Sequence, residues 1–255
     1  MKKTIVMIHG MWLGNWVWDK FKNTLQKKGY HCITPTLRFH DGIKGKKPDP
    51  KLGKVSILDY VSDIEKEIRK LKEPPVLMGH SMGGLIAQIL ASRGMARSVV
   101  LLNPAPPAGL FMLRPTVIKS FFSGLFRWKF WSRPHRQTFD EAVYSMMQLL
   151  PFNEQKKLYD KLVFESGRAY TQIGFSFLDF KRPTKVDEKK ITCPMLIIAG
   201  TQDKIVPIAV LRKIAKKYKK VAVYREYSNH AHWTLSEPGW QEIIKEVHTF
   251  LKTSS

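Results

Sequence analysis

Gly79-His80-Ser81-Met82-Gly83-Gly84 is the most informative local pattern in this 255-residue chain. It follows a short apolar run, Pro75 to Met78, and it opens a segment, Met82 to Ser92, that predicts a helix. A serine in a Gly-x-Ser-x-Gly sequence between a strand and a helix occupies a sharp turn that exposes its hydroxyl. The pattern therefore favours Ser81 as a nucleophile. The backbone amide of Met82, at the positive end of the helix, is a candidate oxyanion donor.

A glycine-rich strand-to-helix turn can also bind phosphate. Here no lysine and no second Gly-x-Gly pattern is placed for that role. The strand before the turn and the helix after it are the context that a nucleophile requires, so this interpretation is preferred.

The elements outward from this turn alternate between strand and helix. The predicted strands are 4–8, 31–37, 75–78, 98–102, 194–199 and 221–227; the predicted helices are 16–28, 56–71, 82–92, 207–218 and 238–251. Residues 39–54, rich in Gly, Pro and Lys, predict a surface loop. Alternating short apolar strands and helices predict an α/β fold with a mostly parallel sheet covered on both faces. Active sites in such sheets form beyond the carboxyl ends of the strands.

The alternation stops between Pro104 and Lys190. This stretch is helical in character and lacks clear strands, so we predict a helical cap, residues 104–190, inserted into a core of residues 1–103 and 191–255. Residues 105–139 interleave aromatic side chains with Lys and Arg, and no Asp or Glu occurs between Pro74 and Phe139. Such a segment suits a cap whose apolar face closes a pocket. The competing hypothesis is weak contact with an anionic membrane surface.

The serine turn, together with His9-Gly10 after the first strand, resembles the α/β-hydrolase superfamily over nearly the whole chain. The run from His9 to Trp18 is similar to the serine esterase and lipase branch, with monoacylglycerol-lipase-like enzymes, methyl esterases and hydroxynitrile lyases. The resemblance implies an α/β-hydrolase fold with a helical cap, and it implies that Met11 supplies a second oxyanion amide. Trp12 and His80 are candidates for the substrate pocket.

A serine hydroxyl needs an adjacent base, and the order along the chain in this fold is Ser, Asp, His. Two histidines, His230 and His232, follow the last predicted strand. The segment from His232 to Pro238 resembles the closing motif of the family, although Ala231 stands where the family usually has glycine. We therefore predict His232 as the base and keep His230 as the alternative.

The acid is expected after the strand 194–199. Gly200 to Pro207 resembles the acid turn of the family and places Asp203 at the acid position; the alternative role for Asp203 is an N-terminal helix cap. After the preceding strand stands Asn103, which is not a carboxylate. The predicted triad is therefore Ser81, Asp203 and His232.

The lack of a nucleic-acid-binding motif and the cysteine content argue against nucleic-acid-binding, metal-binding and disulfide-rich classes of protein. The chain has 43 Lys and Arg against 21 Asp and Glu, a net charge of +22, but no nucleic-acid-binding motif accompanies it. Two separated cysteines, Cys32 and Cys193, make neither a metal site nor a disulfide framework. No cofactor or metal is expected. The N-terminal apolar run is too short for a signal peptide, which predicts a cytoplasmic protein.

These patterns predict a serine hydrolase that cleaves a carboxylic ester with an apolar acyl or aryl group, with a small-molecule ester as its partner. Thioester, amide and carbon–carbon hydrolysis use the same constellation. A lyase, a cofactor-free haloperoxidase-like activity and a non-catalytic ligand-binding role stay open as alternatives.

Overall fold

The computed structural model describes residues 3–41, 47–111 and 114–254. In these residues the strands are β1 (Thr4–Ile8), β2 (His31–Ile33), β3 (Val76–His80), β4 (Ser98–Leu102), β5 (Pro134–His135), β6 (Glu165–Ser166), β7 (Met195–Gly200) and β8 (Ala222–Tyr227). The α-helices are α1 (Asp19–Lys27), α2 (Ile57–Ile68), α3 (Met82–Ser92), α4 (Pro115–Ser120), α5 (Phe122–Leu125), α6 (Phe139–Ala142), α7 (Phe152–Tyr159), α8 (Gly167–Gly174), α9 (Ile208–Lys217) and α10 (Trp240–Thr253).

Six strands form one parallel sheet in the order β2-β1-β3-β4-β7-β8. The residues of β3, β4 and β7 are buried throughout, because helices cover both faces of the sheet. The predicted α/β fold class is confirmed. Because all six strands run in the same direction, their carboxyl ends meet at one edge, and the residues that follow β1, β3, β7 and β8 converge there.

Two helices show how the sequence shapes this sheet. In α3 almost every residue is buried, and at Gly83 a Cβ atom would collide with the backbone carbonyl oxygen of Ile8. A glycine is therefore required for α3 to pack this closely on β1. In α2 one apolar stripe is buried, and its start is fixed by a reciprocal capping box between Ser56 and Asp59.

Two predicted elements are shorter than expected. Strand β2 ends at Ile33 rather than at residue 37, because Pro35 lacks the N–H that a strand interior needs. Helix α1 begins at Asp19, after a 3₁₀ turn over Asn15–Trp18, rather than at residue 16. Of the predicted loop 39–54, residues 42–46 lie outside the described residues, and its end forms a 3₁₀ helix, Pro50–Lys54.

The stretch 104–190, the cap segment, lies between β4 and β7 and contains α4 to α8. It also contains β5 and β6, an antiparallel pair that the sequence analysis did not predict because each has only two residues. Buried Glu165 joins this segment to the sheet side of the molecule: it accepts hydrogen bonds from Tyr60 Oη at 2.6 Å and from His40 Nε2 at 3.0 Å. The division into core and cap stays a prediction.

None of the helices in residues 3–41, 47–111 and 114–254 has both the length and the apolar character that a membrane span requires.

Candidate active site

Ser81 lies at the turn between β3 and α3 with φ 53° and ψ −121°, outside the regions that L-residues normally occupy. The surrounding structure holds this strained backbone: the amide of Ser81 donates to Leu102 O at 3.1 Å, and its carbonyl accepts from Ala105 N at 2.9 Å. The turn after β1 approaches closely, since a Cβ atom on Gly10 would stand 2.9 Å from Ser81 Cβ. The structure thus places the predicted nucleophile against the predicted oxyanion turn.

Asp203 and His232 are brought together at the same edge of the sheet. Nδ1 of His232 lies 2.7 Å from Oδ2 of Asp203, and both side chains are buried. The other oxygen, Oδ1 of Asp203, accepts from the amides of Ile205 and Val206, each at 2.8 Å. These two amides fix the carboxylate, so the imidazole donates from Nδ1 and presents Nε2 as the basic nitrogen. Within the described residues, Nε2 of His232 makes no hydrogen bond to Ser81.

His230, the alternative base, interacts with a different carboxylate, that of Glu237. Its Nδ1 lies 3.1 Å from Oε2 of Glu237, a fully buried carboxylate. Glu237 also accepts from the amides of Ala231 at 2.9 Å and Trp233 at 3.0 Å. The glutamate of the predicted closing motif therefore fixes the backbone on both sides of His232. The geometry pairs Asp203 with His232 and not with His230.

Asn103 is a residue that the sequence analysis passed over, because it was considered only as a missing carboxylate. Its Oδ1 accepts from Gly200 N at 2.9 Å, and its Nδ2 donates to Ala231 O at 2.5 Å. With φ 44°, it turns the chain away from the end of β4. It thus connects the loop before Asp203 to the loop that carries His232. Its place directly after a buried strand at the carboxyl edge was the available signal.

The two predicted oxyanion residues follow the carboxyl ends of neighbouring strands, β1 and β3. Met82 begins α3, and Met11 follows Gly10 in the turn after β1. His9 shapes this turn: its Nδ1 donates to Gly10 O at 2.9 Å, and its Nε2 accepts from Leu37 N at 3.1 Å. Burial, and secondarily the nearby His40, lowers the pKa of His9 to about 3, so its ring stays neutral in this role.

His80 lies beside the predicted base rather than in an open pocket. Its ring is buried, its Nε2 donates to His232 O at 2.8 Å, and the two ring centroids are 4.9 Å apart. Burial, followed by the proximity of His232, lowers the pKa of His80 to about 3. Its Nδ1 has no hydrogen-bond partner among the described residues and faces the Gly10 turn at 3.2 Å from a Cβ placed there.

Trp12 is buried behind the cavity described next. Its Nε1 donates to His135 O at 3.2 Å, and its ring packs on Phe121 with centroids 5.5 Å apart. Its backbone is left-handed, with φ 61°. Trp12 therefore supports Phe121, one of the residues that line the cavity.

An apolar cavity of about 50 Å³ adjoins the oxyanion turn. It is enclosed by Met11 together with Val117, Ile118, Phe121, Leu125, Tyr170, Ile173, Gly174 and Phe175. None of these described lining residues is charged. A second, larger groove of about 1650 Å³, bordered by Trp16, His40 and Lys161, includes neither Ser81 nor Asp203 nor His232. The lining of the small cavity does not include these three residues either, but it does include Met11, a predicted oxyanion residue, and it is apolar. On these two grounds the small cavity is the better candidate for an acyl or aryl group.

The part of the chain that the structure describes contains no cluster of three or more His, Cys, Asp or Glu side chains arranged to hold a metal ion.

One family model and several known proteins are similar to this chain. The family model described as "Alpha/beta hydrolase family" matches residues 5–240. A carbendazim hydrolyzing esterase from Nocardioides is 27% identical over 173 residues, 66% of this chain and 68% of that protein. A putative non-heme chloroperoxidase from Synechocystis is 27% identical over 238 residues, 84% of this chain and 79% of that protein.

Among solved structures, a monoacylglycerol lipase from Paleococcus ferrophilus superposes with a TM-score of 0.71 and 23% identity, covering 99% of this chain and 95% of that one. This likeness shows the shared fold. The resemblance inferred from the serine turn and the His9-Gly10 turn is confirmed, as is the predicted enzyme class, a hydrolase. The chain belongs to the alpha/beta hydrolase family.

Proposed function

We propose that this hydrolase is a serine esterase that cleaves a carboxylic ester with an apolar acyl or aryl group through an acyl-enzyme intermediate. The observation that carries the proposal is the buried hydrogen bond between Asp203 Oδ2 and His232 Nδ1, at the same sheet edge as the strained Ser81. The esterase among the relatives supports the reaction class.

In the proposed reaction, Ser81 Oγ attacks the ester carbonyl carbon while Nε2 of His232 accepts the hydroxyl proton. The carbonyl oxygen becomes an oxyanion, which the amides of Met11 and Met82 stabilise. Collapse of this tetrahedral species breaks the bond to the alcohol oxygen, and His232 returns the proton to the departing alcohol. Asp203 holds the ring of His232 and stabilises its transient positive charge.

Water then completes the cycle. His232 accepts a proton from a water molecule, the resulting hydroxyl adds to the acyl carbon, and the bond to Ser81 Oγ breaks. The carboxylic acid leaves, and Ser81 regains its proton from His232.

The cavity beside Met11 supports an apolar acyl or aryl group. Its aromatic and aliphatic walls offer no charged partner, so they favour a hydrocarbon over a polar chain. The lyase alternative requires a cation in the pocket, and no Lys or Arg occurs among the described residues that line this cavity.

The test is hydrolysis of p-nitrophenyl esters of increasing acyl length by the wild-type enzyme and by Ser81→Ala. A matched control is Ser98→Ala, since Ser98 is buried in β4 and its hydroxyl has no hydrogen-bond partner among the described residues. We expect turnover in wild type and Ser98→Ala, and a loss of about a thousandfold or more in Ser81→Ala.

A second readout is covalent labelling by phenylmethylsulfonyl fluoride, followed by mass spectrometry of the digested protein. The label should appear on the peptide that contains Ser81 and should disappear in His232→Ala. Turnover that survives in folded Ser81→Ala, or a label on another residue, would contradict the proposal.

A further inference from the structure

The surface of the cap segment exposes large aromatic side chains. Phe126, Trp128 and Phe180 are exposed to 75%, 72% and 99% of their surface. Others in the cap segment that are about half exposed or more are Phe111, Phe122, Trp131, Phe152, Phe177 and Leu178. In the rest of the described chain, the exposed large apolar residues are Leu58 and Val223, at 42% and 40% of their surface. Such a concentration marks an interaction surface, because single exposed apolar residues are normally scattered.

Ring contacts connect some of these exposed side chains, through partly buried neighbours, into one surface. The aromatic face, as we call it, comprises Phe111, Trp128, Phe130, Trp131, Phe175 and Phe177. Phe111 contacts Phe177 at a centroid distance of 5.7 Å, and Phe175 lies 6.4 Å from both Phe177 and Phe130. Trp131 lies 5.5 Å from Phe130 and 6.3 Å from Trp128. The contacts therefore run without interruption from Phe111 to Trp128.

Exposed cations accompany these aromatic residues along the chain: Arg114, Lys119, Arg127, Lys129, Arg133, Lys181 and Arg182. None of the seven forms an ion pair with a described residue. One of them, Lys119, lies over the ring of Tyr144 at 4.3 Å. Exposed cations without an ion pair to a described residue also occur elsewhere, as at Lys213 and Lys216 on α9, so the cap segment is distinguished by combining such cations with exposed rings. The acidic side chain nearest in sequence to Lys181, Asp179, is engaged by Gln172 Nε2 and by the amide of Lys181. These cations are available to an external anion.

The aromatic face also reaches the interior. Phe175, one of its members, lines the same apolar cavity as Met11. The cavity thus contacts both the aromatic face and the predicted oxyanion turn. The link to the oxyanion turn rests on the proposed function; the presence of the exposed rings and cations does not.

We propose that the aromatic face and its cations dock on an anionic lipid bilayer. Aromatic side chains suit the headgroup region, and unpaired Lys and Arg are attracted to anionic lipid phosphates. A second copy of the chain is a poor occupant, because two such cationic surfaces repel each other. Docking would place the cavity entrance against the layer in which an apolar ester dissolves.

The experiment is co-sedimentation of the full chain with phosphatidylcholine vesicles, with and without phosphatidylglycerol, at low and at high salt. One variant, Trp128→Ser/Trp131→Ser, removes two exposed rings of the aromatic face; another, Arg127→Glu/Lys129→Glu, reverses charge. Lys213→Glu/Lys216→Glu on exposed positions of α9 matches the charge change, and Leu58→Ser matches the loss of an exposed apolar group.

We expect binding to anionic vesicles that weakens with salt, a loss of about tenfold or more in either cap variant, and less than about twofold in the controls. Ser81→Ala should bind like wild type, and the cap variants should still hydrolyse a short soluble ester; failure of docking and failure of the proposed hydrolysis are thereby separated.

Three results would overturn the proposal: no binding to anionic vesicles at low salt, equal losses in the control variants, or a dimer in solution that the cap substitutions dissociate. Preferential binding of single-stranded oligonucleotide over anionic vesicles, lost in the same variants, would assign the surface to nucleic acid instead.

Discussion

His80 and His232 pack together in the interior, with ring centroids 4.9 Å apart and Nε2 of His80 hydrogen-bonded to the backbone carbonyl of His232. The contact thus joins the residue directly before Ser81 to the proposed base, His232. Because its pKa is lowered to about 3 by burial, His80 remains a neutral donor over the range in which esterases work. We assign it as a positioning residue.

The first prediction concerns this contact. His80→Ala should lower kcat by roughly ten- to a hundredfold and change KM little, because a misplaced base affects the transition state more than binding. His80→Gln, which keeps a donor, should recover part of the loss. Steady-state kinetics on a p-nitrophenyl ester measure both. A change confined to KM would instead assign His80 to the substrate pocket.

The second prediction separates the two candidate bases. His232→Ala should lower kcat by about a thousandfold or more. His230→Ala should retain activity within about tenfold, since His230 is bonded to Glu237 and not to Asp203. Both variants are compared at equal folded fraction, monitored by circular dichroism. The reverse ranking would move the base to His230.

The third prediction concerns Asn103, which bridges Gly200 and Ala231. Loss of its side chain removes two buried hydrogen bonds and should lower the free energy of unfolding by about 2 kcal/mol, with a parallel loss of kcat. Asn103→Gly isolates the side-chain effect, because glycine accepts φ 44° without strain, whereas Asn103→Ala adds backbone strain. Urea denaturation measures the difference. Exposed Asn15→Ala is the control, and an effect as small as that of the control would remove Asn103 from the positioning of the loops.

The fourth prediction follows from two buried histidines. The pKa values of His9 and His80 are both lowered to about 3 by burial, so the unfolded chain binds their protons at a higher pH than the folded chain does. Stability from these groups is therefore present above pH of about 6.5 and is lost as pH falls towards about 3, by about 1.4 kcal/mol per pH unit and histidine. Burial lowers and Glu165 raises the pKa of His40, with a net upward shift in the folded state. The stability that His40 contributes is therefore present below pH of about 6.5 and is lost as pH rises through its raised pKa, outside the window of His9 and His80.

Urea denaturation from about pH 7 to about pH 5 tests the slope. His9→Asn and His80→Asn should each reduce the dependence of the unfolding free energy on pH by about one proton. An unchanged slope in both variants would show that other groups control acid stability.

The sequence predicted the elements with strong local signals. The apolar runs of β3 and β4 and the glycines around Ser81 specify their structure through neighbouring residues, and these elements appear close to their predicted bounds. Asn103 was missed because its two partners, Gly200 and Ala231, are distant in sequence. The pairing of β5 with β6 depends likewise on contacts that no local pattern encodes.

Separation along the sequence also explains why the role of His80 was not predicted. Its hydrogen bond to His232 joins the end of β3 to the loop after β8, so only the folded chain shows that the side chain supports the base. Asp203 and His232 were predictable because the turns that carry them have recognisable sequences. The distance of 2.7 Å between Asp203 Oδ2 and His232 Nδ1 is known only from the structure.

The pairing of β4 with β7, which aligns Val99 with Met195, spans the whole cap segment. Ser81 therefore leaves the ribosome together with β3 and well before Asp203 and His232, which follow the last two strands of the sheet. During synthesis, the serine turn and the exposed rings of the cap segment are therefore made before the proposed acid and base. The proposed nucleophile lacks its acid and base until β7 and β8 have been synthesised, so the growing chain would have no esterase activity. Its exposed aromatic rings, by contrast, are made early and offer a surface for aggregation.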